Sequence, residues 1–362
     1  MLWEDYPSWK EYPLSPLLYN CSSLTNLCLR GCRFSSSESS SWSSLKSLSI
    51  ENVSDDVLRK ILMGSPVLEY LNLTRCHGVK GIHSRSLREL VIDTNVMESP
   101  LHISTPFLLS LRVRGAHFDR TIRIIEAPSL VEAELDFDVS AKSDCCLLKE
   151  MLKLQNATRI LFGAWCLRVM WPRKIEDVQV SLPNCKSLTL QMPIPEFSFP
   201  AIANVLAITP NLKKLVMIFK PSDSSTFSLD IDSPNVNHES YWHIKKKFKR
   251  WAWHLKNVEI FGFYACLRFR YEEVLMMVKF LLGHASVLEN MVIRVKNRKS
   301  QKDLEVVDSG KLLEVARWLQ SYHRASKHAA VILNYLEEVH TKWKKKGARV
   351  TTKCLHIDHK DA

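Results

Sequence analysis

Hydrophobic residues follow one short phrase that returns along the first part of the chain. The phrase has the form L-x-x-L-x-L and first occurs from Leu24 to Leu29, with Cys32 and Phe34 following it. It returns five times, beginning at Leu45, Leu68, Leu87, Leu108 and Leu130. Consecutive phrases begin 21, 23, 19, 21 and 22 residues apart. The alternation within each phrase predicts a short strand that buries one face.

The spacing of these phrases predicts that the strands stack as a solenoid. L-x-x-L-x-L-x-x-N/C-x-L is the leucine-rich-repeat signature, whose period is about 20–29 residues. One such strand cannot bury its apolar face alone, but coils stacked on one another share a continuous core. Eight residues after the first leucine the signature has Cys or Asn, where the side chain can lie against backbone groups. Cys32, Cys76 and Asn95 occupy this position.

Later phrases are looser and farther apart. They begin at Ala157, Cys185, Leu212, Leu255 and Leu288, with separations of 28, 27, 43 and 33 residues. The longer gaps leave room for helices, and capping residues and apolar spacing predict them at Ser54–Gly64, Ser143–Lys153, Ala201–Ile208, Glu272–Leu282 and Gly310–His323. Apolar residues from Tyr335 to Trp343 also have helical spacing. The predicted fold class is therefore α/β: a leucine-rich-repeat solenoid with a curved parallel sheet and helices or loops on its convex side.

Composition narrows the class of protein further. With 362 residues, 46% of them hydrophobic, the chain can bury a large core. Its 10 cysteines lack zinc-ligand spacing, and several, including Cys28, Cys32, Cys76 and Cys185, lie in apolar runs, which predicts buried thiols in a reducing compartment. The first residues do not resemble a secretory signal, and no apolar run approaches the ~18 residues of a membrane span. We therefore expect a cytoplasmic or nuclear protein without a membrane partner.

The positive charge is concentrated in the last third of the chain. The net charge is +12, but residues 241–362 contain 25 Lys and Arg against 12 Asp and Glu, while residues 1–240 contain 25 against 26. Two basic patches lie in the last third: Lys245, Lys246, Lys247, Lys249 and Arg250, and then Lys344, Lys345 and Lys346. Interleaved tryptophans make nucleic-acid binding or nuclear import an alternative function. A solvated helix face or helix end is the simpler interpretation.

No catalytic motif is visible. The sequence lacks G-x-G-x-x-G, the P-loop, H-E-x-x-H and G-x-S-x-G, and its 10 glycines provide little material for phosphate-binding loops. The 13 histidines are scattered. We therefore predict that the chain is not an enzyme and uses no cofactor or metal.

Several segments resemble one plant family. Asn20–Phe34 and Gly64–Leu73 resemble the first repeats of the plant F-box/FBD/LRR-repeat proteins, and Leu255–Phe263, Phe280–Ile293 and Tyr322–Lys327 resemble the FBD region that ends them. The resemblance covers about residues 1–335. The domains predicted from it are a repeat solenoid over residues 1–250, an FBD-like region continuing the solenoid over 251–335, and a basic helix end with a mobile tail over 336–362.

The resemblance implies substrate recognition in ubiquitination. In that family an N-terminal F-box binds the adaptor of a cullin–RING ubiquitin ligase, and the repeats present a protein substrate. Only 23 residues precede Leu24, too few for an F-box, and they do not resemble one. The adaptor is therefore an expected partner only if an F-box is supplied upstream. Otherwise the chain would be a fragment or a competitor without ligase function.

The leading expectation is a protein-interaction scaffold that binds its partner on the concave face of the sheet. Residues that alternate with the inward apolar positions should line that face. The candidates are Tyr70, Asn72, Glu89, Asp93, Arg112, Arg114, Glu132, Glu134 and Asp136. Opposite charges on adjacent strands could instead simply satisfy each other.

Overall fold

The fold consists of two compact units. The computed structural model describes residues 12–35, 40–76, 78–93, 96–97, 100–118, 122–139, 144–170, 181–192, 198–219, 252–263, 271–295, 309–339 and 349–357. Unit 1 is residues 1–157 and unit 2 is residues 158–362. These units follow backbone contacts and do not test the predicted domains. The repeat solenoid over residues 1–250 and the FBD-like region over 251–335 stay predictions.

Unit 1 consists mainly of short strands. In chain order its elements are β1 (Tyr12–Pro13), α1 (Pro16–Tyr19), β2 (Asn26–Leu29), β3 (Cys32–Arg33), β4 (Ser47–Glu51), α2 (Asp55–Gly64), β5 (Tyr70–Thr74), β6 (Gly81–His83), β7 (Glu89–Asp93), β8 (Val96–Met97), β9 (Leu101–Ser104), β10 (Ser110–Phe118), β11 (Ile122–Glu126), β12 (Glu132–Val139) and α3 (Asp144–Met151). A 3-10 turn, Leu152–Leu154, follows α3.

The main sheet of unit 1 has one strand for each of the six predicted phrases. Its order is β2–β4–β5–β7–β10–β12, and all its pairs are parallel. The register aligns the phrases, so that Leu48 pairs with Leu71 and Leu71 with Leu90. These three side chains have no exposed surface. Stacked leucines therefore form the core that the sequence predicts.

Strands also form part of the return path of three coils, where helices or loops were expected. β6, β9 and β11 make a second parallel sheet, in which Ile82 pairs with Ile103 and Ile103 with Ile124. All three isoleucines are buried. In these coils, which are 19, 21 and 22 residues long, a short extended segment buries apolar residues on the return path, whereas the preceding 23-residue coil from Leu45 to Leu68 has α2 there.

Unit 2 has longer coils with helices between its strands. Its elements are β13 (Arg159–Phe162), α4 (Trp165–Val169), β14 (Ser187–Met192), α5 (Ser198–Ala207), β15 (Lys214–Phe219), a 3-10 turn (Ala252–His254), β16 (Asn257–Phe263), α6 (Tyr271–His284), β17 (Asn290–Val295), α7 (Ser309–Ser321), β18 (Ala330–Val339) and β19 (Arg349–Ile357). Strands β13 to β18 are parallel in chain order, and β19 is antiparallel to β18. The α/β leucine-rich-repeat fold is thus confirmed.

The end of unit 2 corrects two sequence expectations. The helix predicted from Tyr335 onward is wrong, because residues Ala330–Val339 form β18. The mobile tail is also corrected, because residues Arg349–Ile357 form β19 and pair with β18. The buried residues Val331 and Leu333 alternate with half-buried neighbours, and the parallel register with β17 aligns them with the core. Pairing with two strands overrides the weak helical spacing. Helix α6 also runs beyond Gly283, which was predicted to end it.

The coils share one turn before each main strand. In unit 1, the amides of Glu69 and Tyr70 both donate to the carbonyl of Lys46 on the preceding coil, each at 2.9 Å. In unit 2, the amides of Lys213 and Lys214 donate in the same way to Lys186, at 2.9 and 3.0 Å. The turn therefore fixes the register in which surface residues of successive coils stack.

Candidate functional site

The predicted site residues lie together on one surface of unit 1. We call this surface the polar face: the side chains of β5, β7, β10 and β12 that alternate with the buried ones. It includes all nine candidates: Tyr70, Asn72, Glu89, Asp93, Arg112, Arg114, Glu132, Glu134 and Asp136. Glu89, Asp93, Arg112 and Arg114 are exposed, and the other five are half-buried. Whether this face binds a partner stays a prediction.

The strand register arranges these side chains in rows that cross the strands. One row runs Tyr70, Glu89, Ser110, Glu132; a second runs Asn72, Val91, Arg112, Glu134; a third runs Thr74, Asp93, Arg114, Asp136. Neighbouring strands are about 4.8 Å apart. Each arginine therefore has a carboxylate on the next strand within reach of its side chain.

Glu134 is the centre of the ion pairs on this face. Arg114 Nε donates to Glu134 Oε1 at 2.6 Å, and Arg112 Nε lies 3.9 Å from Glu134 Oε2. The hydrogen bond to Glu134 raises the pKa of Arg114; burial opposes this shift, and the charges of Glu134, Asp93 and Asp136 reinforce it. The side chain of Glu134 is 15% exposed, whereas those of Arg112 and Arg114 are 44% and 50% exposed. The opposite charges thus partly satisfy each other.

The polar face carries more acid than base. Its nine candidate residues include five carboxylates and two guanidinium groups, a formal charge of −3. Glu89 and Asp93 are exposed, so their carboxylates reach solvent. Asn72 Oδ1 is buried and accepts no hydrogen bond within the described part of the chain. Acceptors and negative charge therefore dominate, which suits a partner that brings donors and positive charge.

Sequence reasoning missed an ion pair on the same side of the main sheet. Arg75 lies 2.8 Å from Glu51, measured between Nη2 and Oε1. Glu51 is paired in register with Thr74, in the same row as Asp93. The signal was available, because Glu51 follows Ile50 in the alternation that identified the other candidates.

The cysteines of the repeat signature have a structural role. Cys32 Sγ donates to the carbonyl of Arg30 at 3.6 Å, and Cys76 Sγ donates to that of Thr74 at 3.5 Å. Burial raises the pKa of Cys76, and it raises that of Cys185 to about 12. Both are therefore neutral thiols at physiological pH. Cys28, in contrast, is exposed, because it alternates with the inward positions of β2.

The remaining predictions concern charge and cofactors. Both basic patches, Lys245–Arg250 and Lys344–Lys346, lie outside the described residues. Within the described ranges, no group of three or more His, Cys, Asp or Glu side chains is arranged to hold a metal ion. None of the helices described in the chain combines the length and apolar character needed to cross a membrane.

Comparison with known proteins identifies the relatives of the repeats. Residues 2–133 match a family model described as "FBD-associated F-box protein At5g56370, LRR repeats". The chain is 26% identical over 283 residues to Probable F-box protein At1g60180 of Arabidopsis thaliana, an alignment of 73% of this chain and 83% of the relative. It is 27% identical to Putative F-box/LRR-repeat protein At3g18150, over 68% of this chain and 54% of the relative, and 27% identical to F-box/LRR-repeat protein At3g03360, over 79% and 61%.

These alignments cover a smaller share of some relatives than of this chain. The chain spans little more than half the length of At3g18150 and about three-fifths of At3g03360, both from Arabidopsis thaliana. The matched model ends at residue 133, so it covers β5, β7 and β10 of the polar face but only the first two residues of β12, which leaves out Glu134 and Asp136. The resemblance identified from the sequence is confirmed: the homologues of this chain are Arabidopsis F-box/LRR-repeat proteins, and its first repeats match the repeat model of an FBD-associated F-box protein.

Proposed function

We propose that this chain recognises a protein substrate for a cullin–RING ubiquitin ligase and that the polar face of unit 1 binds a basic segment of that substrate. The observation that carries the proposal is the excess of carboxylates on this face, two of which, Glu89 and Asp93, are exposed. The F-box names of the relatives support the ligase assignment. The coarser role, protein interaction within the F-box/LRR family, rests on homology alone.

The arrangement of charges suits selective binding of a basic segment. Arg114 is fixed against Glu134, so the ion pair holds the centre of the face in one geometry. Glu89 and Asp93 lie on the neighbouring strand β7, four residues apart and on the same side of it. Electrostatic complementarity contributes mainly association rate and selectivity, and like charges exclude wrong partners. Lysine or arginine side chains of a partner would therefore be attracted to β7.

Charge reversal on β7 tests this assignment. Proteins would be recovered from plant extract with three versions of the chain and identified by mass spectrometry. The three versions are wild type, Glu89→Lys/Asp93→Lys and the control Glu126→Lys/Glu314→Lys. The control changes two exposed acids that are not part of the polar face: Glu126, in β11 of the second sheet, and Glu314, in α7 of unit 2. Partners that the β7 variant loses and the control keeps would then be tested as purified proteins. We expect their affinity to fall about tenfold or more in the β7 variant.

The same experiment with plant extract distinguishes binding of a substrate by the polar face from assembly of the chain with the ligase. Recovery of adaptor and cullin by wild type and by both variants would mean that this chain itself docks on the ligase. Partners lost only in the β7 variant would then be candidate substrates of the polar face. Partners without adaptor would favour the alternative of a fragment or competitor without ligase function. Identical partners at equal affinity in all three proteins would overturn the assignment of the polar face.

Nucleic-acid binding by the basic last third stays a separate prediction. It requires an affinity that falls steeply as salt increases, because bound counterions are released from the phosphates. An affinity that does not change with salt, or no binding at low salt, would eliminate it.

A further inference from the structure

Three lysines stack on consecutive coils of unit 2. Lys186, Lys213 and Lys256 each occupy the residue between the first apolar position of the phrase and the main strand. We call them the lysine ridge. The amide of Lys213 donates to the carbonyl of Lys186, and the amide of Lys256 donates to that of Lys213, both at 2.9 Å. The three side chains therefore start from backbones held one strand spacing apart, and all three residues are exposed.

Only one end of the ridge is neutralised by an acid on the next coil. Lys256 Nζ lies 2.6 Å from Glu289 Oε1. Lys186 and Lys213 have no ion-pair partner within the described ranges, and the residue stacked on each in the direction of β16 is another lysine. Like charges placed opposite each other on neighbouring strands are destabilising. The ridge therefore lowers stability unless an anion lies against it.

The fold does not require like charges at this turn position of successive coils. In unit 1 the same turn position carries Lys46, Glu69 and Arg88, which are joined by the same carbonyl-to-amide ladder. There the charges alternate in sign, so that each charge is attracted to the one on the neighbouring coil. The turn thus accepts either pattern, and the repeated lysines of unit 2 are a property of this sequence rather than of the solenoid.

The residues beside the ridge already pair with one another. Lys214, in the first position of β15, pairs in register with Ser187 on one side and Asn257 on the other. Asn290 Nδ2 donates to Asn257 Oδ1 at 3.2 Å, so that amide oxygen is already occupied. Lys214 Nζ lies 2.6 Å from Glu259 Oε1. An anionic ligand bound along the ridge would therefore have to end before it reaches the carboxylate of Glu259.

We propose that the lysine ridge binds an extended peptide segment rich in glutamate or aspartate. From Lys186 to Lys256 the ridge spans two strand spacings, about 10 Å, which three to four residues of extended peptide cover. Carboxylates on such a segment would replace the missing ion pairs of Lys186 and Lys213. The ridge is in unit 2, so this inference does not depend on the proposed function of unit 1.

A peptide fits this surface better than a nucleic acid. Single-stranded nucleic acids bind through backbone charges combined with aromatic rings on which bases stack. The aromatic residue on this side of β16, Phe261, has the guanidinium of Arg294 over its ring at 4.6 Å. Glu259 and Glu289 lie beside the ridge and would repel a phosphate on every nucleotide. A short acidic segment can end before these carboxylates.

Binding of a defined acidic peptide tests the proposal. The probe is a fluorescent peptide of three glutamates flanked by glycine and serine, and its matched control has glutamine in place of glutamate. Fluorescence anisotropy with the full chain should show binding of the glutamate peptide that weakens with salt, and none of the glutamine peptide. Lys186→Gln/Lys213→Gln should weaken binding about fivefold or more, because two charge-assisted contacts are lost.

Two further variants distinguish loss of the ridge from loss of fold. Lys46→Gln/Lys149→Gln removes two exposed lysines of unit 1, one of them at the same turn position, and should bind like wild type. Lys186→Arg/Lys213→Arg should also keep binding, because it keeps both charges. Unchanged affinity in Lys186→Gln/Lys213→Gln, equal binding of the glutamine peptide, or no binding by wild type would overturn the proposal. A uridine-only RNA that binds more tightly, and is lost in the same variant, would also overturn it and assign the ridge to nucleic acid.

Discussion

Glu134 in unit 1 and Glu259 in unit 2 occupy the same position of the repeat and have similar surroundings. Each is the third residue of its strand, in β12 and β16, and each lies between two cations. Glu134 is 2.6 and 3.9 Å from Arg114 and Arg112, and Glu259 is 2.6 and 3.7 Å from Lys214 and Arg294. Both side chains are largely covered, at 15% and 21% exposed.

The two surfaces differ in the charges that surround these carboxylates. Around Glu134, exposed Glu89 and Asp93 leave the face negative. Around Glu259, the nearby ridge of Lys186 and Lys213 is positive. The same coil geometry thus carries surfaces of opposite sign. The repeat fixes where side chains are placed, and the residues between the leucines decide which partner each surface suits.

The largest effect should come from placing a charge in the core of one unit. Leu71→Asp places a carboxylate at a position with no exposed surface, flanked by Leu48 and Leu90. A buried charge without a partner should cost at least about 4 kcal/mol of unfolding free energy. We expect the coils of unit 1 to unfold, with loss of protection in hydrogen exchange across β4, β5 and β7.

An exposed position beside the same strand provides the control. Val67→Asp introduces the same group at a residue that is 40% exposed and should leave the exchange pattern unchanged. If the two surfaces act independently, Leu71→Asp should lose partners of the polar face and still bind the glutamate peptide. Loss of both activities would show that the units unfold together.

Two glycines allow backbone strain to be compared with close packing. Gly31 in unit 1 and Gly262 in unit 2 have φ values of +62° and +74°, a region that disfavours other residues. A Cβ on Gly31 would meet nothing within 4 Å, whereas one on Gly262 would clash with the carbonyl oxygen of Phe219. Gly262 lies at the bulge between Phe261 and Phe263, where the register with β17 shifts.

Alanine at each position should therefore have unequal effects. Gly31→Ala should cost about 1 kcal/mol, from the left-handed backbone alone. Gly262→Ala should cost about 3 kcal/mol, because the backbone of β15 must also move. Urea unfolding measures both free energies. Equal costs would mean that the contact with Phe219 is relieved without strain.

The fold was largely predictable because its main signal is local. All eleven phrases from Leu24 to Leu288 precede a strand of a main parallel sheet. The second sheet of unit 1 was missed, since β6, β9 and β11 have three to five residues each, too few for alternation to be distinctive. The sequence predicts a helix at β18 because Tyr335, Leu336 and Val339 have helical spacing, although Tyr335 and Val339 also fit the period of a strand. Only pairing with β17 and β19 decides between the two.

The surfaces were predictable to a smaller extent. Alternation predicts that the nine candidates share one side of their strands, but it could not show that Glu134 holds Arg114 more closely than Arg112. The lysine ridge was visible in the sequence as a lysine after the first position of three consecutive phrases. Those phrases are 27 and 43 residues apart, so the stacking of their lysines becomes apparent only from the ladder of hydrogen bonds between coils.

The smallest effect should come from removing the charge of Glu134 or of Glu259. This change tests most directly how the surroundings of the two carboxylates differ. Glu134→Gln and Glu259→Gln each remove the negative charge between two cations and keep a hydrogen-bond acceptor. Because these ion pairs are partly exposed, each change should cost only about 0.5–1 kcal/mol. In unit 1, Asp93 and Asp136 still lie near Arg114 and limit the loss. In unit 2, Glu259→Gln leaves Lys214 without this carboxylate and beside the lysine ridge. The loss of unfolding free energy should therefore be larger for Glu259→Gln than for Glu134→Gln.

Urea unfolding at two ionic strengths would measure that difference. Raising the salt shortens the Debye length from about 30 Å to about 8 Å, which screens the lysines from one another. Glu259→Gln should therefore cost more than Glu134→Gln at low salt, and the two costs should converge at high salt. Equal costs at both ionic strengths would mean that each carboxylate interacts only with its own two cations. The opposite signs of the two surfaces would then influence their partners without influencing the fold.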